Sequence, residues 1–228
     1  TYYFQQLKAV LLEMGLPSAE NLHHIPFGLI TVNGKKLSTR SGRIILLDQV
    51  LEDAIDLAKK QIEAKNPDLP NKDEVAKEVG VGAIIFGDLK NERTNNIDFV
   101  LEDQLRFEGE TGPYVQYSHA RAESILRKAG DIDLHGADKR LDDPAAWETV
   151  TALKDFPTVI ESACKDFEPS EVAKYALRLA KAFNKYYAHS KILVEDDQLG
   201  ARLSLVKAVS IVLKESLNLL GVKAPDAM

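Results

Sequence analysis

The sequence predicts a mainly α-helical protein: a C-terminal helix bundle, preceded by a helical connector and a small mixed α/β piece. Three observations point there. The last third repeats apolar residues at three- and four-residue steps, as in Leu203, Val206, Ser210, Leu213, Leu217 and Leu220. The clearest strand-like run, Phe27-Gly28-Leu29-Ile30-Thr31-Val32, is short and isolated near the start. Glycine and proline punctuate the periodic segments at Gly15 and Pro17, at Pro67 and Pro70, at Gly112 and Pro113, and at Gly221.

Each element follows from this patterning. Residues from about 2 to 14 place Phe4, Leu7, Leu11 and Met14 on one helical face. The 27–32 strand runs into Asn33-Gly34, a tight-turn dipeptide, because glycine accepts positive φ without a Cβ clash. Ile44-Ile45-Leu46-Leu47 reads as a second short strand, and Asp48 as the cap of a helix to about Ala64 with Leu51, Ile55, Leu57, Ala58 and Ile62 inward. A helix over about 72–92 turns Val81, Ile84, Ile85 and Leu89 to the core, and 97–100 is extended. Thr111 caps a helix from about Tyr114 to Ala129, with Pro113 in its first turn. After an Asp-rich loop come helices carrying Trp147 as a packed anchor, an interruption at Pro157, a stripe from Val172 through Tyr175 to Phe183, and a central last helix that Gly221 ends.

Composition narrows the function classes. The net charge of −6 excludes a whole-molecule positive field, so any nucleic-acid surface is a local patch. Cys164 is the one cysteine, which excludes an internal disulfide and a cysteine-based zinc site. No run of about 18 apolar residues spans a membrane, and no signal peptide opens the chain, so the expected location is the cytoplasm, without membrane partners. Thr1 is not an initiator methionine, and the chain is expected to be a fragment of a longer protein.

The most distinctive local stretch is Gly34-Lys35-Lys36-Leu37-Ser38-Thr39-Arg40-Ser41-Gly42-Arg43, with four cations, three hydroxyls and no acid. This composition suits a loop closing over phosphate oxygens, and equally an exposed basic hairpin. It is not a Walker loop, because Leu29 stands where that motif needs its first glycine. Lys36-Leu37-Ser38-Thr39-Arg40 resembles the Lys-Met-Ser-Lys-Ser loop of class I aminoacyl-tRNA synthetases, with Thr39 in place of the second lysine. Phe107-Glu108-Gly109-Glu110-Thr111-Gly112-Pro113-Tyr114-Val115-Gln116-Tyr117-Ser118-His119-Ala120-Arg121 resembles the turn and helix of arginyl-tRNA synthetases more specifically. Leu219-Leu220-Gly221-Val222-Lys223-Ala224-Pro225-Asp226-Ala227-Met228 is similar to that family's closing segment.

The resemblance covers essentially the whole chain and implies the C-terminal part of such an enzyme. It divides the chain into a remnant of the catalytic domain with the phosphate loop (1–45), a helical connector along the tRNA stem (46–110) and an anticodon-binding bundle (111–228). It implies that Lys36, Ser38 and Arg40 act in catalysis and that Lys35, Lys36, Leu37, Ser38 and Thr39 contact ATP phosphates. It implies tRNA contacts from Tyr114, Tyr117, Arg121, Asn184, Tyr187 and Met228. The partners it implies are arginine tRNA and, in the full-length enzyme, ATP with Mg2+ and L-arginine. The fragment itself is expected to be a monomer that binds no cofactor or metal. It is also expected to be inactive alone, since the His-Ile-Gly-His motif is absent and His23-His24-Ile25-Pro26 is a different pattern. The alternative is a free-standing helical RNA-binding or regulatory module; a related class I synthetase such as cysteinyl fits the Gly-Glu-Thr-Gly-Pro-Tyr run less well.

Independently of any family, helical spacing puts Tyr114, Tyr117 and Arg121 on one face and Gln116, His119 and Ala120 nearer another. Aromatics, an amide and a guanidinium on one element suit unstacked RNA bases, and core tyrosines with satisfied hydroxyls are the other reading. Tyr175 and Phe183 are expected in the core, His189 at the surface, and Lys90, Arg93 and Arg106 are scattered cations able to touch phosphate.

Overall fold

A computed structural model describes residues 1–32, 34–36, 46–130, 137 and 139–228. The turn at 108–113 starts the central helix, α5 (Gly112–Ala129). Thr111 is its N-cap, its Oγ1 accepting from the Tyr114 N–H at 3.2 Å, and Pro113 lies in the first turn as the sequence predicts. Around α5 pack α3 (Lys72–Leu89), α8 (Ser170–His189) and α9 (Leu199–Leu219). Two further helices, α6 (Pro144–Lys154) and α7 (Phe156–Asp166), lie against α8, and Pro157 opens α7 at the expected interruption.

Their apolar stripes merge into one core that includes Val115, Tyr175, Leu179, Phe183, Val206, Leu213 and Leu217. Tyr175 and Phe183 are buried as expected. A second, smaller core joins α2 (Leu47–Lys65) to α3 through Ala54, Ala58, Ile62, Ala76, Val79 and Ala83, closed by Leu105 just after α4 (Leu101–Gln104).

Several expectations need correction. α2 begins at Leu47 with Leu46 as N-cap, so Leu47 is helix rather than strand, and Asp48 sits inside the first turn instead of capping it. There its carboxylate still favours the positive end of the helix dipole. The remaining calls on Asn33, Ile44 and Ile45 lie outside the described residues. The early strand is shorter than its apolar run. β1 (Ile30–Val32) pairs antiparallel with β2 (Lys35–Lys36) and parallel with β3 (Ile97–Asp98), in the order β2-β1-β3. Within α3 the predicted stripe of Val81, Ile84, Ile85 and Leu89 is only half-buried. The buried face instead carries Val75, Val79 and Phe86 together with small residues, Ala76, Gly80, Gly82, Ala83 and Gly87, where α2 packs against Gly80, Gln116 of α5 against Gly82 and Gln104 of α4 against Gly87. A Cβ on Gly80 would lie 2.7 Å from the Ile55 Cα. Trp147 is not a packed anchor, since it is 68% exposed on α6, whose buried face is Ala145, Ala146, Thr149 and Ala152.

Before this body come α1 (Tyr2–Glu13) and a 3-10 turn over Pro17–Asn21. At the other end Gly221, at φ +74°, terminates α9, and its successor Val222 returns its N–H to the Leu217 carbonyl at 2.9 Å. Residues 222–228 then run back across α5 toward α2. Gln116 Nε2 donates to the Lys223 carbonyl at 2.7 Å and Asn66 Nδ2 to the Met228 backbone oxygen at 3.2 Å.

Candidate nucleic-acid interface

The return of residues 222–228 closes one side of a cleft of about 460 Å³. Its walls are the end of α2 (Ile62, Lys65, Asn66), the turn before α5 (Phe107, Glu108), the outer face of α5 (Tyr114, Tyr117, Arg121), Asn184 of α8, and Met228. Five of the six residues assigned to tRNA contact from the sequence therefore line one concavity. The sixth, Tyr187, stands beside it, its ring 4.8 Å from the Arg121 guanidinium carbon.

Helical periodicity explains the sorting along α5. Val115, Gln116, Ser118, His119 and Ala120 are buried, while Tyr114 and Arg121 are partly exposed and Tyr117 is 39% exposed. Facing Tyr187 on the other side, the Tyr117 ring lies 4.9 Å from Arg121, so the guanidinium is held between two aromatic faces. Arg121 Nη1 also donates to Asn184 Oδ1. Asn184 Nδ2 in turn donates to Ser118 Oγ at 2.8 Å, and Ser118 Oγ to the Tyr114 carbonyl at 2.8 Å. The row continues through Phe107, edge-on to Tyr117 at 6.3 Å, to Lys65, whose Nζ lies 4.6 Å from the Phe107 centroid. Lysine, phenylalanine, tyrosine, arginine and tyrosine thus alternate along one rim. Such a rim offers flat faces for stacking, with cations between them for phosphate.

Lys65, Asn66 and Phe107 were missed as site residues. Phe107 stands within the motif and carries the signal of an aromatic beside a Gly-rich turn. Lys65 and Asn66 carry none, because they reach the cleft only through the α2–α3 packing.

The phosphate-loop residues fare differently. Lys35 is exposed on β2, and the Lys36 backbone pairs with Thr31. The Lys36 side chain, Leu37, Ser38, Thr39 and Arg40 lie outside the described residues. The stem of the loop is pinned by Asp98 Oδ1, which accepts from the Gly34 N–H at 2.9 Å and Thr31 Oγ1 at 2.8 Å. Those two bonds, the Gly34 one first, hold the Asp98 carboxyl below the usual carboxylate range. The scattered cations have protein partners: Lys90 donates to the Glu110 carbonyl at 2.8 Å, Arg93 pairs with Glu168 at 2.7 Å, and Arg106 with Asp103 at 2.7 Å. His189 is exposed, as expected, and faces the Lys185 carbonyl. Among the described residues no group of three or more His, Cys, Asp or Glu side chains is placed to hold a metal ion.

Comparison with known proteins identifies the family. Residues 115–228 match the family described as DALR anticodon binding domain, and residues 1–101 match tRNA synthetases class I (R), catalytic domain. The whole chain is 73% identical to an arginine–tRNA ligase of Levilactobacillus brevis, covering 40% of that protein, and 68% identical to one of Lactiplantibacillus plantarum, covering 41%. The chain thus spans about 40% of the length of these relatives. Among solved structures, arginyl-tRNA synthetase of Thermus thermophilus superposes with a TM-score of 0.89 at 37% identity, over 97% of this chain and 38% of that one. By its DALR anticodon binding domain and the class I catalytic segment before it, the chain belongs to the arginyl-tRNA synthetase family.

Proposed function

We propose that this chain is the tRNA-gripping part of an arginine–tRNA ligase, and that the cleft between α2, α5, α8 and residues 222–228 receives unstacked anticodon bases. The observation that carries the reading is the convergence of Tyr114, Tyr117, Arg121, Asn184 and Met228 on one concavity, with Tyr187 beside it. Tyrosine faces would stack bases, Asn184 and the backbone near Met228 would meet base edges, and Lys65 and Arg121 would neutralise phosphates. Residues 46–110 would lie along the tRNA stem, and 111–228 would form the anticodon-binding unit.

The enzyme as a whole would join arginine to its tRNA through arginyl-adenylate, in the cytosol. Arginine's carboxylate would attack the α-phosphate of ATP with pyrophosphate leaving, and the terminal ribose hydroxyl of the tRNA would then attack the arginyl carbonyl, forming the ester, releasing AMP and giving up its proton. In this chain Lys35, Lys36, Ser38, Thr39 and Arg40, with Leu37 between them, would stabilise the departing phosphates. Asp98, by holding Gly34, would fix the stem from which those residues project. Mg2+ would neutralise ATP phosphate charge, and no ligand for it is assigned to this chain.

The test is binding of a labelled anticodon stem-loop of arginine tRNA, against the same stem-loop with the middle anticodon base replaced. The expected result is tighter binding of the authentic loop, weakening steeply with salt. Equal affinity for both loops would refute base reading in this cleft.

A further inference from the structure

The Met228 wall of the cleft is not continuous with any helix. It is delivered by residues 222–228, which follow the end of α9, and something must hold them. Gln116 takes the first part by donating to the Lys223 carbonyl, and Arg127 Nη1 donates to the Asp226 carbonyl at 2.9 Å. The remaining contact is less ordinary. His119 is fully buried on α5, with Nδ1 3.2 Å from the Ser210 carbonyl on α9 and Nε2 3.3 Å from Asp226 Oδ1. Nε2–H has the Asp226 carboxylate as its acceptor, while the Nδ1 edge of the ring meets α9. On α9 the ring meets the Ser210 carbonyl and, 3.4 Å from Nδ1, Ser210 Oγ, whose hydroxyl donates to the Glu123 carboxylate. Asp226 is 61% exposed on its side chain, and the half-exposed Lys214 ammonium is 3.6 Å from its Oδ1.

We infer that His119 and Asp226 form a latch that sets the position of Met228 in the cleft, so that His119 is a positioning residue for RNA binding although it never touches RNA. The latch rests on the reading of the cleft as the RNA site, but its geometry can be tested without RNA. It joins α5, which carries Tyr114, Tyr117 and Arg121, to the one wall of the cleft that is not part of a helix or of the turn before α5. Through it the helix that presents the stacking face also fixes the opposite side.

The chain contains two methionines, Met14 and Met228, so methyl-13C-methionine labelling gives two signals. In Asp226→Ala the Met228 methyl should move to the position of a solvated methionine while Met14 stays. Asp226→Asn, which keeps an acceptor for Nε2–H, should leave both in place, as should Lys214→Leu. Affinity for the arginine anticodon stem-loop should fall about three- to tenfold in Asp226→Ala, as expected for one lost hydrogen bond, and recover in Asp226→Asn. Loss of a negative charge alone would tighten RNA binding in both Asp226 variants, the opposite sign. The latch is overturned by an unmoved Met228 signal in Asp226→Ala, by an equal displacement in Lys214→Leu, or by unchanged or raised affinity in Asp226→Ala. Failure of the unmodified chain to bind the stem-loop would instead sink the RNA reading, leaving the methyl shifts to decide the latch.

Discussion

Helices α1 and α8 both carry apolar residues at helical spacing and have opposite fates. α8 buries Val172, Tyr175, Ala176, Leu179, Ala180 and Phe183 among five other helices. α1 carries Phe4, Leu7, Leu11 and Met14 at the same spacing and has no buried residue. Its Tyr2, Tyr3 and Met14 are each about two-thirds exposed or more. Periodicity therefore reports a face that burial would stabilise, and only a partner element turns that face into stability. The largest expected effect tests this directly. Leu213→Ala, in the fully buried centre of α9, should cost about 3–5 kcal/mol in denaturant unfolding, from lost transfer energy plus a cavity. Phe4→Ala on α1 should stay within about 0.5 kcal/mol, although it removes a larger side chain. Similar costs at the two sites would break the contrast.

An intermediate effect sharpens it inside the ordered body. Gly80 of α3 faces α2, and an added Cβ would meet the Ile55 Cα and N, both at 2.7 Å. Backbone atoms cannot rotate away as a side chain would, so the two helices must separate. Gly80→Ala should destabilise by about 1–3 kcal/mol despite alanine's better helix propensity, and thermal melting would show it. An unchanged or raised melting temperature would mean the α2–α3 contact is looser than its geometry.

This helix pair also shows where the sequence stopped being legible. The helix there was plain from its pattern, but its buried face was not, because apolar residues surround it: Val75, Val79 and Phe86 are buried with Gly80, Gly82 and Gly87, while Val81, Ile84, Ile85 and Leu89 are half-buried, and the glycines that admit close neighbours leave no hydrophobic signature. α5 was readable in full, since Thr111, Pro113 and the apolar spacing after them act locally and agree with the tertiary outcome. The cleft followed the same division. Tyr114, Tyr117, Arg121, Asn184, Tyr187 and Met228 lie in recognisable motifs or at a helix end, whereas Lys65 arrives from 52 positions before Tyr117 and only packing brings it near. Trp147 misled because size suggested burial, while its neighbours Ala145, Ala146 and Thr149 supply the face that packs.

The smallest effect compares two carboxylates, one in each region. Asp143 caps α6 by accepting from the Ala145 N–H at 2.7 Å and also accepts from Ser190 Oγ at the end of α8. The Ser190 bond first, and the backbone bonds after it, pull its carboxyl below the ordinary 3.8, against a smaller opposing push from burial. Asp98 in the sheet is held below the same value by Gly34 and Thr31. For a carboxyl depressed in the folded state, the stabilisation is complete above its unfolded value and is lost as pH falls through the folded value. Both should therefore contribute at neutral pH and fade below about pH 4. The regions then separate them. Asp143 ties two helices of the cooperative core, so Asp143→Asn, which keeps a capping acceptor but removes the charge, should flatten the acid limb of the global melting curve. Asp98 joins β3 to the β1–β2 turn, whose opening need not unfold the bundle, so Asp98→Asn should leave that curve unchanged and instead speed amide exchange at Gly34. An acid limb that flattens equally in both variants would show the sheet and the bundle unfolding as one unit, and would remove the distinction between the two regions.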